Sequence, residues 1–453
     1  MQLLIDCHKD TKSQRNFLEP LCLRGKKEKM NYQNTLEFAK ELDANDSLKD
    51  FRQKFFLPQH EGKDCIYFTG NSLGLQAKTT AQYVQQELDD WAKLGVEGHF
   101  HARKPWMSYH EIFPKQLSAI VGCRENEVVV MNSLTVNLHL LMVSFYRPTK
   151  TRYKIICEAK AFPSDQYAFE TQAKYHGFNP GEAVIEVSPR EGEYTLRKED
   201  IISAIHQHGD SVAVVLFGGV NYYTGQLFDM KAITEAAHAV GAYAGYDLAH
   251  AAGNVELQLH DWKVDFACWC SYKYLNSGPG GIAGVYINEK HVANADLPRF
   301  AGWWGYKKET RFKMQKGFDP ISTAEGWQLS NAPVLSMAAH KASLDIFEEA
   351  GMERLHEKRK KLVDYLLFII DDCNSKTSEK IIEVITPAED KERGCQVSML
   401  MLKNGKEIFT QLTRQGVIAD WREPNVIRVA PVPLYNSFED IYRFGNIISS
   451  IIK

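Results

Sequence analysis

The chain has 453 residues, 44% of them hydrophobic and 25% charged, ordinary values for a folded globular protein. Its formal net charge is −3, which argues against nucleic acid or an anionic membrane surface as the main partner, because such binding rests on clustered basic residues. No apolar run approaches the ~18 residues of a membrane span, and the length suggests two or three domains.

Residues 1–33 are polar and irregular and read as a leader. Leu3–Ile5 is too short for the core of a signal peptide, and Asp6 follows it. Asp6, Asp10 and Glu19 argue against a mitochondrial presequence. The basic run RGKKEK at 24–29 reads as a solvated tail before a nuclear signal. A cytoplasmic location is expected. The nine cysteines are odd in number and form no CxxC, so neither a disulfide framework nor a zinc site is indicated. Cys268 and Cys270, two apart on a strand, share a face as small core residues.

From 35 to 56 the pattern is helical and amphipathic, ended by Leu57-Pro58. Apolar, β-branched runs then alternate with helical stretches. Strands are predicted at 127–131 (EVVVM), 153–158, 212–217, 243–247, 265–270 and 282–287. Helices are predicted from Ser133, from about Gln166, and from Asp229 to Gly241. Strands buried on both faces and joined by helices make a mostly parallel α/β sheet. The last third differs. A long helix at 353–373 turns Leu355, Leu362, Tyr365, Leu366 and Ile369 inward. Short strands follow near 396–402 and 426–430. The last helix starts at Ser437, with Asp440 as a capping-box acid, and buries Ile441, Phe444, Ile448 and Ile451. This is a smaller α+β domain, with its boundary near 320–335.

Ligands of open parallel sheets bind beyond the carboxyl ends of the strands. The residues there are Asn132 to Thr135, Phe162 to Asp165, Gly218-Gly219, Asp247 to His250 and Ser271 to Lys273. Lys273 follows a buried strand (FACWC). Desolvation there favours the neutral amine, the form that makes a Schiff base. Alone, a lysine snorkelling to water is the commoner explanation. Asp247 needs a cationic partner, and a protonated pyridine nitrogen would serve; an acid on that nitrogen plus a Schiff-base lysine is the arrangement for pyridoxal phosphate. Asp247 alone reads equally as a turn residue, and His250 as core. Ser133 as N-cap leaves the N–H groups of Leu134 and Thr135 for an anion, although plain capping is the commoner case. Phe162 either lies over an aromatic cofactor or fills core. SGPGG at 277–281 lacks the P-loop pattern, and no GxGxxG follows the first strand, so nucleotide readings are weak.

The run HDWKVDFACWCSYKYLNSGPGG at 260–281 resembles the lysine segment of the kynureninase family. So do FTGNSLGLQ at 68–76, NSLTVNLHLLM at 132–142, EAKAFPSDQYAFE at 158–170, YDLAHAAGNVEL at 246–257 and IRVAPVPLYNSF at 427–438. The likeness spans about 35 to 453 and looks closest to the animal members. Cysteine desulfurases share the lysine and aspartate but not these surroundings.

The resemblance implies a fold-type-I pyridoxal 5'-phosphate enzyme, with a seven-stranded large-domain sheet and a small α+β C-terminal domain. The expected division is a leader at 1–33, an N-terminal helical segment at 34–65 packing with the small domain, a large domain at 66–325 and the small domain at 326–453. The activity implied is hydrolysis of L-3-hydroxykynurenine or L-kynurenine to alanine and an anthranilate, in tryptophan catabolism and the supply of NAD precursors, by a homodimer. Lys273 would carry the cofactor and Asp247 pair with its nitrogen. Phe162 would stack on the ring, while Leu134, Thr135 and Tyr272 hold the phosphate. Pro163, Ser164, Asp165 and His250 would line the cofactor, with Trp303 and Asn331 reaching in from a partner subunit. Arg428 would hold the substrate carboxylate, and His99, Ser330 and Asn331 read the aryl ring. Gly218 stands where the family pattern has a phosphate-binding serine, and it offers an N–H but no hydroxyl. The leader has no counterpart, which makes Met30 an alternative start. Hydration of the substrate ketone needs a base and an oxyanion donor, and Tyr223 is the candidate. Another fold-type-I enzyme (a desulfurase or an aminotransferase) and a non-catalytic descendant are the competing readings. Cys395, in RGCQV, reads as strand rather than as the mobile loop cysteine a desulfurase needs.

Overall fold

The computed structural model describes residues 31–452. Most of the expected leader, with Cys7, Cys22, the basic run at 24–29 and Met30, lies outside them. Helix α1 covers Leu36–Ala44, and the Thr35 hydroxyl accepts the Phe38 N–H as its N-cap. The helix expected to run on to 56 stops here. Asp46 turns its carboxylate back to the Leu48 N–H at 2.8 Å, the local bond by which Asp favours turns, and the chain resumes as a 3₁₀ segment at Lys49–Lys54. Helix α2 is Thr80–Leu94.

A seven-stranded sheet follows. Its strands are β1 (Val128–Val130), β2 (Lys154–Glu158), β3 (Val184–Val187), β4 (Val212–Gly218), β5 (Tyr243–Asp247), β6 (Phe266–Cys270) and β7 (Ala283–Ile287). The spatial order is β1-β7-β6-β5-β4-β2-β3. β7 runs opposite to all the others, so it is antiparallel to both β1 and β6, and the remaining pairs are parallel. The crossovers include α3 (Leu134–Phe145), α4 (Pro163–Tyr175), α5 (Lys198–His208) and α6 (Met230–Ala239). Asp229 caps α6 by accepting the Ala232 N–H, and Gly241 (φ +72°) ends the turn beyond it in the left-handed region glycine favours. Each face of the sheet meets its own core. Along β6, Ala267 and Trp269 join one cluster, and Phe266 and Cys268 the other.

The C-terminal part carries α7 (Val334–Ala350), the long α8 (Met352–Ser375), β8 (Ile382–Val384), β9 (Val397–Met401), α9 (Gly405–Arg414), β10 (Asp420–Arg422), β11 (Val426–Val429) and α10 (Phe438–Ile452). The four strands form an antiparallel sheet in the order β8-β9-β11-β10. All five inward residues expected of α8 are buried. The Ser437–Asp440 capping box is reciprocal, and Ile441, Phe444 and Ile448 are buried while Ile451 is half-buried. Asp43 of α1 accepts the N–H groups of Phe438 and Glu439, fastening α1 to the start of α10. Residues 66–67 pair with 417–418, and Thr69 bridges to Ala430, so the chain leaves the small-domain side only after 69.

Candidate active site

Five strand ends and two helix starts meet in a cleft of about 160 Å³. It is lined by Leu134, Thr135, Phe162, Ser164, Asp165, Gly218, Asp247, His250, Tyr272 and Lys273, ten of the residues expected from the sequence. Local folding explains the convergence. Asn132 takes φ +47°, turning the chain sharply from β1 into α3. Ser133 is the N-cap but its side chain makes no capping bond, so Leu134 and Thr135 open α3 at the cleft with N–H groups that have no helical acceptor. Pro163 begins α4, which puts Ser164 and Asp165 in its first turn.

Lys273 Nζ lies 3.0 Å from His250 Nε2 and 5.7 Å from the centre of the Phe162 ring. Asp247 ends β5 and accepts the Ala249 N–H at 2.7 Å. Burial and the nearby charges of Asp247 and Glu158 push Asp165 well above the usual carboxylate range, and burial raises Asp247 beside it. Burial, with Lys273, Arg428 and Arg422 nearby, holds His250 well below its ordinary value as a neutral imidazole. Asp165 Oδ1 and His250 Nδ1 are buried without a partner. Unsatisfied polar atoms lining an open cleft are rare in a folded interior. They fit a bound polar aromatic ligand carrying a cationic nitrogen at Asp247 and an anionic group at the start of α3.

The sequence reading missed Glu158, Val220, Tyr222 and Cys270, which line the cleft together with Ala249 beside His250. Glu158 and Cys270 are last residues of strands, and inspecting that position as well as those after it would have found both. Glu158 matters most. It is buried, and its carboxylate accepts the Gly218 N–H at 3.1 Å. Burial, against those backbone bonds and with Asp247 adding to it, pushes its pKa up to about 7. The Gly218 N–H is thus already taken, which corrects the expectation that it is offered to a phosphate.

Other expected residues lie outside the cleft. Tyr223 is half-buried beside it, and Tyr222 takes the lining position, its ring edge-on to Phe162 with centres 5.3 Å apart. Pro163 is exposed at the head of α4. Arg428 is fully buried behind Tyr222, bonded to that residue's carbonyl and to the Asp420 carboxylate. His99 bonds the Val96 carbonyl at 2.9 Å, edge-on to Trp106. Trp303, Ser330 and Asn331 are exposed on the surface, and His99 is half-buried. No described cysteine is poised as a nucleophile. Burial raises the thiol of each one, and Cys395, 1% exposed, goes up to about 12.

A lysine and an acid at neighbouring strand ends of this sheet, with an anion site at a helix start, define a fold-type-I pyridoxal-phosphate enzyme. The fold is similar to that of the apo cysteine desulfurase of Thermococcus onnurineus NA1, with a TM-score of 0.70 at 17% identity over 86% of this chain and 94% of that one. The kynureninase C-terminal domain family matches residues 355–448. The chain is 58% identical over 419 residues to the kynureninase of Flavobacterium psychrophilum, covering 92% of this chain and 98% of the relative. It is 49% identical over 430 residues to human kynureninase, covering 91% and 92%. The chain belongs to the kynureninase family. The higher identity to the bacterial relative corrects the expectation of an animal-type sequence.

Proposed function

We propose that this chain binds pyridoxal 5'-phosphate on Lys273 and hydrolyses the Cβ–Cγ bond of L-kynurenine and L-3-hydroxykynurenine, releasing L-alanine and the corresponding anthranilate. The observation that carries the reading is the pairing of Lys273 with neutral His250, over the buried Asp165–Asp247 pair, in a chain of this family.

When bound, the cofactor supplies an electron-withdrawing pyridinium ring. The chain's own residues do the rest. Asp247 holds the positive ring nitrogen, and Asp165 fixes the orientation of Asp247. The Leu134 and Thr135 N–H groups and Tyr272 receive the phosphate. Phe162 would cover the ring with Ser164 beside it, and Pro163 sets the start of the helix that carries Ser164. Lys273 Nζ carries the proton taken from the substrate Cα, and His250, kept neutral, accepts a hydrogen bond from that amine without adding positive charge. Arg428 receives the substrate α-carboxylate. Tyr222, in the cleft, takes the hydration role expected of Tyr223.

The working unit is a homodimer. Trp303 is 45% exposed beside Phe312 at 55%, and Val136 and Leu335 are also exposed, so apolar surface is available to a second copy. Through it Trp303 and Asn331 reach the partner's cofactor, while His99, Ser330 and Asn331 read the aryl ring. No helix among the described residues is long and apolar enough to cross a membrane, in keeping with a place in the cytoplasm. Domains at 70–325 and 326–453, with 34–69 packed on the latter, complete the assignment.

The test is the initial rate of anthranilate release by the cofactor-loaded protein, from kynurenine and from 3-hydroxykynurenine. Release from at least one, with a preference that changes in His99→Ala and Asn331→Ala, is expected. Release from neither would overturn the activity, and the high pKa of Cys395 already disfavours a desulfurase in its place.

A further inference from the structure

Two arginines share one carboxylate behind the cleft. Asp420 of β10 stands directly opposite Arg428 of β11 in the antiparallel ladder. Arg422, two residues along, projects from the same face. The Asp420 carboxylate accepts from Arg428, and from Arg422 Nη2 at 3.3 Å. Arg428 is wholly buried and also donates to the Tyr222 carbonyl. A buried guanidinium needs an anion beside it, and Asp420 is that anion.

The charge count decides the argument. Arg428 and Asp420 alone make a neutral pair, with no net pull on an arriving carboxylate. Arg422 adds a charge that Asp420 cannot also cancel, so the three groups carry a formal surplus of +1. The Nε–H of both arginines is buried without a partner. The Asp420–Arg422 side of the cluster is open to solvent, while Arg428 is sealed within. A pocket of about 310 Å³ lies against Asp420 and Arg422, with Thr69 and Ser72 among its walls. Both arginines also act electrostatically on His250, which lies 3.0 Å from Lys273, so the surplus charge is felt at the reacting end of the site.

We infer that Arg422 is the second cation of the substrate's carboxylate site, and that Asp420 is the positioning residue that couples it to Arg428. The inference rests on the reading that Arg428 receives the substrate α-carboxylate. Two guanidinium groups then face two carboxylates, and the cluster becomes neutral only when substrate is bound.

The test compares, on the cofactor-loaded enzyme, the KM for kynurenine with the inhibition constant of the amine left when kynurenine loses its α-carboxylate. Arg422→Gln is expected to raise KM about tenfold, with kcat within about threefold and the amine's inhibition constant within about twofold. Arg422→Lys, which keeps the charge, recovers most of the lost affinity. Equal effects on both ligands, or no effect on KM, would overturn the inference. Arg422 is over a third exposed, so its loss leaves the fold intact. Arg428→Lys serves as the control for the underlying reading: an unchanged ratio of the two constants there would sink Arg428 as the carboxylate site, whatever Arg422 does.

Discussion

The two ends of the central sheet hold buried carboxylates in opposite conditions. At the amino end, Asp265 just before β6 meets His238 at 2.8 Å, His291 at 2.8 Å, Lys290 at 2.7 Å and the Ala244 N–H at 2.7 Å. Burial alone would raise it, but His238, His291 and Lys290 hold it well below the usual carboxylate range. Glu127, before β1, is likewise tied to His260 and the Glu289 N–H. At the carboxyl end, Asp165, Asp247 and Glu158 crowd together and all three are raised. One end is satisfied by the protein itself. The other is left in deficit, and a cationic ring can make up what is missing. Folding energy and ligand-binding energy are thus stored at opposite ends of the same strands.

The sharpest way to break this contrast is to exchange what each end loses. Lys273→Ala at the carboxyl end is expected to cut turnover on the order of 10³-fold or more, while the unfolding midpoint of the cofactor-free protein stays within about 2 °C. Turnover like that of the wild type would end the assignment of Lys273. Asp265→Asn at the amino end should do the reverse. It strips the shared anion from two histidines and a lysine and costs ~3 kcal/mol in urea unfolding, with kcat per folded molecule nearly unchanged. Because the folded pKa of Asp265 is depressed, its contribution is complete at neutral pH and is lost only as pH falls below the ordinary carboxylate value of 3.8 and through the lower folded value. A stability difference that fades near pH 7 instead would refute the network account.

A pH profile sharpens the other side. Glu158 titrates near 4.5 unfolded and about 7 folded. The native state therefore binds its proton more tightly, and stability falls as pH rises through that window, then levels off above it. Glu158→Gln removes the slope. In the cofactor-free protein the variant should match the wild type near pH 4 and exceed it at pH 8, by up to ~3 kcal/mol. A gap of the same size at both pH values would mean the carboxyl end is not strained by charge.

Much of this could be read from the chain because buried strands are written as continuous apolar runs, and the residues beyond them stand out. The edge strand β3 escaped notice because only Val187 of it is buried. The start of α4 was placed near Gln166 because Pro163 looks like a loop residue until it is seen to open a helix. Tyr222, the bond from Gly218 to Glu158 and the Asp420–Arg422–Arg428 cluster were illegible for another reason. Each depends on which strands become neighbours, and no local pattern records that 158 and 218, or 420 and 428, face one another.

The smallest expected effect tests how tightly the deficient end is built. A Cβ on residue 218 would lie 2.9 Å from Glu158 Oε1, inside normal contact. Glu158 is buried and cannot swing freely to water, so Gly218→Ala must displace the carboxylate and weaken its bond to the 218 N–H, for about 1 kcal/mol. The serine expected at this position needs the same space. In a Glu158→Ala background the obstacle is gone, and the same substitution should cost almost nothing. The two changes are therefore non-additive, and a double-mutant cycle in urea measures the coupling. Additive costs would show that Glu158 yields easily, and then glycine at 218 would not be what lets a third acid sit beside Asp247 and Asp165.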